Sequence, residues 1–438
     1  MVHHPSPSPV HAPPARPQPA AGDRQSLLNA RIFRRLMPLL VLSYVISFID
    51  RTNIALAKSH IEVDLGISAA AYGLGAGLFF LSYALLEVPS NLIMHRVGAR
   101  FWITRIMVTW GLLSAGMAFI TGETSFYVMR VLLGAAEAGL FPGVMLYLTY
   151  WFGREERARA IGYFLLGVCI ANILSGPVGG ALLQMDGFLG WHGWQWMFVI
   201  EGLPAVALAW VVWKKLPDGP ASAPWLTAAE SREVLQRLQA EQDQQASAGQ
   251  VGHSLRDCLR DRQIWLAILV YFCHQISIYT VIFFLPGIIG TYGQLSPLQI
   301  GTLNSVPWIA AAIGAAWLPR FATHPQRCRR MLLAGLGTMA AGLLLAALAG
   351  KASPALGLLG FSLTALMFFV VQSVVFLFPA SRLAGAGLAG GIALVNTCGL
   401  VGGFIGPTVM GMIEQATGST RNGLFIMAGR LRQGQETR

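Results

Sequence analysis

The sequence predicts an all-α integral membrane protein of two six-helix bundles, with the twelfth helix cut short. Three observations lead to this fold class. Of the 438 residues, 54% are hydrophobic and only 12% are charged, about half the charged fraction of a soluble domain. The apolar residues gather in segments close to the ~20 residues that a helix needs to cross a bilayer, and the basic residues cluster between them. A soluble fold of this composition would expose large apolar patches, so soluble enzymes and disordered chains are excluded.

The apolar segments follow one another with short polar gaps. The eleven candidate spans are 36–57, 73–95, 102–121, 126–150, 160–184, 196–214, 264–289, 298–319, 331–349, 355–378 and 388–412. One longer polar gap, with a charged, helix-compatible stretch near Glu230–Gln242, separates six spans from the rest. After Arg421 only residues 423–429 are apolar, and seven residues rise about 10 Å as a helix. Because the bilayer core is about 30 Å thick, the twelfth span is predicted to be truncated.

These segments predict five regions. They are a disordered cytoplasmic tail (1–30), a six-helix N-terminal bundle (31–214), a cytoplasmic linker loop (215–262), a C-terminal bundle of five full spans and a stump (263–429) and a polar tail (430–438).

The distribution of Lys and Arg predicts the orientation in the membrane. Most of the 31 basic residues precede span 1 or lie in loops on the same side, whereas the complete loops on the other side hold Lys58 and Lys351. Cytoplasmic loops carry such an excess, so the N-terminus is expected in the cytoplasm. We therefore interpret the net charge of +11 as a topology signal, and we expect lipid around the chain and no nucleic-acid partner.

Several classes of function lack their motifs in this sequence. There is no Walker lysine loop for ATP, no metal-ligand cluster and no nucleophile–base pairing. We expect neither a cofactor nor enzymatic activity, and we expect a monomer.

An internal repeat predicts two related halves. Span 5 contains Gly176-Pro177 and span 11 contains Gly406-Pro407, while Gly73 and Gly301 stand at the heads of spans 2 and 8. The two offsets agree to within two residues. Parallel repeats of this kind are one plan of secondary transporters.

Ionisable residues within spans are costly and mark functional sites. Span 1 carries Asp50 and Arg51, and span 4 carries Arg130 and Glu137 on one helical face. If the two spans touch, these four residues form one polar cluster. Arginine pairs with carboxylates in a two-pronged geometry, and the acids can exchange protons. Buried ion pairs that only pack helices are the alternative interpretation.

Other polar residues within spans are candidates to complete a binding site. Tyr83, Tyr279, Gln372 and Asn396 can each donate a hydrogen bond to a carboxylate or hydroxyl, although hydrogen bonding between helices explains them equally well. Glu87, Glu201 and His274 fit a structural role better, and we leave them outside the predicted site.

Five stretches carry a family resemblance: 50–53 (DRTN), 87–91 (EVPSN), 130–143 (RVLLGAAEAGLFPG), 194–202 (WQWMFVIEG) and 402–407 (GGFIGP). With them the chain resembles the anion:cation symporter branch of the major facilitator superfamily, and within it the bacterial tartrate, phthalate and hydroxyphenylacetate permeases. The resemblance extends over about residues 34–420. It implies twelve helices in two pseudo-symmetric bundles in the inner membrane, and uptake of an organic carboxylate together with protons.

The resemblance also implies roles for individual residues. Asp50 and Glu137 match proton-coupling acids, Arg51 and Arg130 match arginines of substrate binding, and Tyr83 and Asn396 match ligand contacts. Our leading hypothesis is a proton-coupled symporter of a small carboxylate, such as a tartrate-like hydroxy acid or an aromatic acid. A proton-antiport exporter and a truncated remnant that does not transport are the alternatives.

Overall fold

The computed structural model describes residues 21–247, 260–318, 325–350, 352–382 and 385–425. Regular secondary structure in these residues is helical. The helices are α1 (Ala21–Leu65), α2 (Ala69–Val97), α3 (Ala99–Gly116), α4 (Glu123–Glu137), α5 (Leu140–Thr149), α6 (Arg154–Leu183), α7 (Gly193–Lys215), α8 (Ala228–Ser247), α9 (Arg262–Gly290), α10 (Pro297–Trp317), α11 (Pro325–Ala349), α12 (Pro354–Arg382) and α13 (Gly385–Thr417).

The predicted spans correspond to these helices. In the described residues ten helical segments are long and apolar enough to cross a membrane, with α4 and α5 together making one of them. The predicted span 298–319 corresponds to α10, which is not one of these ten; it packs between α6 and α12. Residues 420–425 are helical again. The rest of the predicted stump, the polar tail 430–438 and residues 1–20 lie outside the described residues.

The first helix begins earlier than the sequence predicted. Residues 21–30, expected to be disordered, are the first turns of α1, so that prediction is wrong there. Leu28 is buried, and the side-chain amide of Asn29 donates to Glu156 on α6 at 2.7 Å. These contacts hold the segment against the bundle.

The fourth predicted span, 126–150, is not one continuous helix but is broken in its middle. Glu137 ends α4 and Gly139 precedes α5 with a left-handed φ of 94°, a conformation that favours glycine. The Ser90 hydroxyl donates to the Ala138 carbonyl at 2.8 Å, which satisfies an acceptor that the break leaves free. The break places the Glu137 carboxyl at a helix end deep in the protein.

Two sets of helices pack side by side. Helices α1–α7 pack on one another, as do α9–α13, and the sets meet where α2 contacts α13, α6 contacts α10 and α1 contacts α9. We call the end of the molecule that carries the α7–α9 linker the linker end, and the opposite end, where α1 ends and α2 begins, the far end.

Glycines bring the two sets into backbone contact at the far end. A Cβ atom on Gly73 of α2 would overlap the Pro407 carbonyl of α13, and one on Gly301 of α10 would overlap the Gly176 carbonyl of α6. Gly73 and Gly301 are the two glycines related by the sequence repeat. The repeat therefore produces two equivalent close contacts between the two sets of helices at the far end.

The charged stretch in the linker forms a helix, α8, as predicted. The linker and this helix dock on the first set of helices. Arg31 of α1 forms an ion pair with Glu230 at 2.9 Å, and Trp225 stacks on Trp151 with ring centroids 5.5 Å apart. Hydrogen bonds from Thr227, together with Arg31, hold the pKa of the Glu230 carboxyl below its ordinary value. Glu230 is therefore charged at neutral pH and can maintain this docking.

Candidate functional site

A cavity lies between the two sets of helices, about halfway along them. It has about 80 Å³ of open volume, room for only a few water molecules. Five of the eight predicted site residues line it: Arg51, Tyr83, Tyr279, Gln372 and Asn396. The first two come from α1 and α2, and the other three from α9, α12 and α13, so both halves of the chain contribute to one site.

Arg51 forms an ion pair with Glu137 at the wall of this cavity. Both side chains are buried, at 6% and 1% exposed, and the Ser47 hydroxyl donates to the same Glu137 oxygen at 2.6 Å. Because Glu137 ends α4, where the helix dipole disfavours a negative charge, Arg51 supplies the compensating charge. The buried Arg51 Nε has no hydrogen-bond partner among the described residues, so one donor of this guanidinium is unsatisfied.

Aromatic rings surround the Arg51 guanidinium. Its central carbon lies 4.6 Å from the ring centroid of Phe48 and 5.2 Å from those of Phe79 and Tyr83. Cations are attracted to ring faces at these distances. The rings therefore hold the positive charge in place with little water around it.

Arg130 lies behind the cavity wall and does not line the cavity. Its guanidinium donates to the backbone carbonyls of Gly75 and Ala76 on α2, both at 3.3 Å. It also lies 4.8 Å from the ring of Phe79, on which Arg51 packs as well. Arg130 is therefore placed to act on the cavity through α2 and Phe79.

Asp50 points away from the other three residues of the predicted four-residue cluster. Its Oδ2 accepts a hydrogen bond from the Trp110 indole of α3 at 2.7 Å. The expectation of one shared cluster is therefore wrong for Asp50. Adjacent residues on a helix point about 100° apart, so Arg51 faces the cavity while Asp50 faces α3.

Several residues outside the predicted site also line the cavity. Glu87 lies there and accepts a hydrogen bond from Asn396 at 3.3 Å, which joins α2 to α13 across the cavity. Tyr271 and Gln275 line it beside Tyr279, and the Tyr271 hydroxyl accepts a hydrogen bond from Gln372 at 3.2 Å. The four-residue spacing of 271, 275 and 279 marks one face of α9 and was a signal that could have found them.

His274 has the structural role that we favoured from the sequence. It is fully buried, lies 3.1 Å from the Phe368 carbonyl and stacks on the Phe368 ring. Within the described residues no group of three or more His, Cys, Asp or Glu side chains is arranged to hold a metal ion.

Lys58 was predicted to lie in a loop, but it is part of α1 and forms ion pairs that close the far end. It is 5% exposed. Its Nζ pairs with Glu62 at 2.9 Å and with Glu414 of α13 at 3.1 Å, and it lies 5.4 Å from the rings of Tyr72 and Phe284. The pair with Glu414 joins the two sets of helices and closes the cavity from this side.

Replacing Lys58 with Met is expected to weaken this closure, because Glu414 then loses its partner on α1. Glu414 is partly exposed, so we expect the ion pair to contribute near the upper end of the range for exposed pairs, about 1 kcal/mol. Its loss should shift the equilibrium about fivefold toward the conformation that is open at the far end. Maleimide labelling of a cysteine introduced at Ala71, which is buried at the far end, measures the shift. Lys214→Met, at an exposed lysine in the last turn of α7, is the control. Equal labelling in K58M, K214M and the parent would contradict the role of Lys58.

Comparison with known proteins agrees with this architecture. The family profile described as "Major Facilitator Superfamily" matches residues 40–407. A protein of Agrobacterium vitis named "Putative tartrate transporter" is 40% identical over 408 residues, covering 92% of this chain and 90% of that protein. A "Quinolone resistance transporter" of Acinetobacter baumannii is 41% identical over 398 residues, covering 90% of each.

Solved structures share the fold at low sequence identity. A bacterial homolog of the human lysosomal transporter Spinster, in an inward-facing and occupied conformation, superposes with a TM-score of 0.70 at 17% identity, covering 95% of this chain and 96% of that one. The xylose transporter XylE of E. coli gives a TM-score of 0.70 at 14% identity, covering 92% and 97%. The chain is thus a multi-pass membrane transporter and not an enzyme, and it belongs to the major facilitator superfamily.

Proposed function

We propose that this transporter is a proton-coupled symporter that takes up a small organic carboxylate across the bacterial inner membrane. In this proposal it acts as a monomer with its N-terminus in the cytoplasm. The single observation that carries it is the ion pair of Arg51 and Glu137 at the cavity wall. There, one buried guanidinium faces both an internal acid and the space in which a solute binds.

This pair couples the proton to the anion. When Glu137 is ionised it holds Arg51, and a solute carboxylate must compete for the guanidinium. When Glu137 takes up a proton, Arg51 becomes free to pair with the solute, because a buried cation without a counter-charge is costly. Proton and anion therefore bind together, which is the requirement for symport.

Polar groups from the second set of helices complete the site. The Tyr279 hydroxyl, the Gln372 amide and the Asn396 amide line the cavity opposite Arg51, and Gln372 Oε1 has no hydrogen-bond partner among the described residues. An acceptor of this kind suits a solute hydroxyl. A hydroxy acid fits this combination of cation, donors and acceptor, and the Agrobacterium vitis relative named for tartrate supports that choice.

The small cavity supports transport by movement of the two sets of helices. About 80 Å³ of open volume leaves little room for a solute larger than a few waters. The bundles must therefore move relative to each other for substrate to enter and leave, as in alternating access around a midplane site.

Export by proton antiport is the second candidate, favoured by the name of the Acinetobacter baumannii relative. The buried arginines at and behind the cavity argue for an anionic solute and against a cationic or neutral drug. Counterflow of labelled L-tartrate in proteoliposomes distinguishes the two, because an exporter of unrelated drugs would not exchange it. Norfloxacin as a competitor in the same assay tests the quinolone directly.

The proposal is tested by uptake of labelled L-tartrate, and of phthalate for the aromatic class, into proteoliposomes with an imposed proton gradient. We expect accumulation that collapses with a protonophore and is lost in Arg51→Ala and Arg130→Ala. Arg232→Ala, which removes an exposed arginine from α8, is the matched control and should transport normally. Coupled uptake that survives both R51A and R130A would refute the assignment, and binding without flux in the parent protein would favour the remnant.

A further inference from the structure

A second polar cluster lies on the side of α1 that faces away from the cavity. Asp50 and Asn53 of α1 meet Trp110 and Ser114 of α3 and Glu201 of α7. Asp50, Asn53 and Glu201 are 2%, 0% and 5% exposed. The cluster is therefore closed off from both the cavity and the surface.

Most of the polar atoms in this cluster lie close to one another but form no hydrogen bond of normal geometry among the described residues. They are Asp50 Oδ1, both amide atoms of Asn53, the Ser114 hydroxyl and both carboxyl oxygens of Glu201. Buried polar groups are normally hydrogen-bonded, and exceptions call for an explanation. A group of six such atoms, three of them carboxyl oxygens, points to a ligand that the cluster takes up and releases.

The acids of the cluster identify that ligand as a proton. The Asp50 carboxyl accepts a hydrogen bond from the Trp110 indole, and the Glu201 carboxyl faces α6. From α6, Gly179 faces Glu201, and Arg51 is directed toward Glu137. Among the described residues neither carboxyl forms an ion pair with a cation. Two buried carboxylates in that situation are strongly disfavoured, so the pair retains at least one proton.

We propose that Glu201 is a proton-binding residue that works as a pair with Asp50, on a route separate from the substrate cavity. This inference rests on the proposed symport. In the transfer, the O–H bond of the Glu201 carboxylic acid breaks and an O–H bond forms on the Asp50 carboxylate, with a water molecule as carrier. The charge of the pair is unchanged, and Asn53, one turn beyond Asp50 on α1, offers a donor and an acceptor to hold the carrier.

The seam between α1 and α7 extends this route toward the far end. Trp194 precedes Glu201 by two turns of α7, and its indole donates to Asp64 of α1 at 2.8 Å. His192 lies 3.1 Å from the same carboxylate and is half exposed. These polar groups connect the cluster to the surface at the far end, where the ion pair of Lys58 with Glu414 closes the cavity.

Infrared difference spectroscopy of the purified protein tests whether Glu201 holds a proton, and this measurement needs no substrate. We expect the parent protein at neutral pH to show a carbonyl band of protonated carboxylic acid that loses intensity in Glu201→Gln and in Asp50→Asn. Glu233→Gln, in the linker helix, is the control and should leave the band intact. Glu201→Asp should retain the band at a shifted frequency, which keeps the test usable if E201Q does not fold.

Transport assays separate this inference from the proposed symport. We expect E201Q to lose proton-driven accumulation of L-tartrate while retaining counterflow, because exchange of substrate does not need the proton route. If the parent protein shows no counterflow, the symport proposal fails, and the infrared result still decides whether Glu201 holds a proton. Loss of an ionised carboxylate band in E201Q, or full proton-driven uptake by E201Q, would overturn the inference.

Discussion

Replacing Glu137 with Gln is expected to abolish proton-driven accumulation of L-tartrate while tartrate still binds and exchanges. Glutamine has nearly the shape of protonated glutamic acid and cannot release a proton, so E137Q mimics the state in which Arg51 is free for the solute. In the parent protein, binding should weaken as the pH rises, because ionised Glu137 reclaims Arg51. In E137Q this pH dependence should flatten, with binding retained at alkaline pH. Tartrate-induced thermal shifts across pH measure binding, and counterflow measures exchange.

The control is Glu123→Gln, which changes an exposed glutamate at the start of the same helix, α4. E123Q should keep both the pH dependence and the accumulation of the parent. Accumulation by E137Q that a protonophore still collapses would show that another group carries the coupled proton. Loss of binding in E137Q at every pH would show instead that Glu137 only positions Arg51.

Replacing Gly301 with Val is expected to eliminate uptake by preventing closure at the far end. A Cβ atom there would overlap the backbone carbonyl of Gly176, and no flexible side chain is available to move aside. The two helices must then separate, which opens the interface that this structure holds closed. The Ser305 hydroxyl, which donates across the same interface to the Ile173 carbonyl at 2.7 Å, provides the reporter position. In a background with the five native cysteines replaced, Ser305→Cys should react with maleimide much faster in G301V.

Gly162→Val is the matched control, since Gly162 lies on α6 with Gly176 and a Cβ there meets no atom within 4 Å. G162V should keep both uptake and protection of the reporter. Normal uptake and a protected reporter in G301V would mean that contact between α6 and α10 is not part of the transport cycle.

The sequence predicted the helices well because the bilayer imposes a simple rule on length and polarity. Predicted spans such as 73–95 and 264–289 fall within helices Ala69–Val97 and Arg262–Gly290. The break after Glu137 was missed, because glycine and proline are both common in membrane helices. Only the left-handed backbone of Gly139 and the hydrogen bond from Ser90 to the Ala138 carbonyl reveal it. The start of α1 was missed because its first turns are polar and are held by contacts with α6 and α8.

The sequence by itself determined which side chains are available for chemistry within the bilayer. Charged residues are costly there, so Asp50, Arg51, Arg130 and Glu137 stood out without any coordinates. Only the tertiary structure decided which of them lie at the substrate cavity and which lie in the second polar cluster. The 100° step between neighbours on a helix and the packing of α1 against α3 and α7 direct Asp50 away from Arg51. Which ionisable side chains pair with each other depends on atomic distances between helices. A single sequence does not encode those distances in any local pattern.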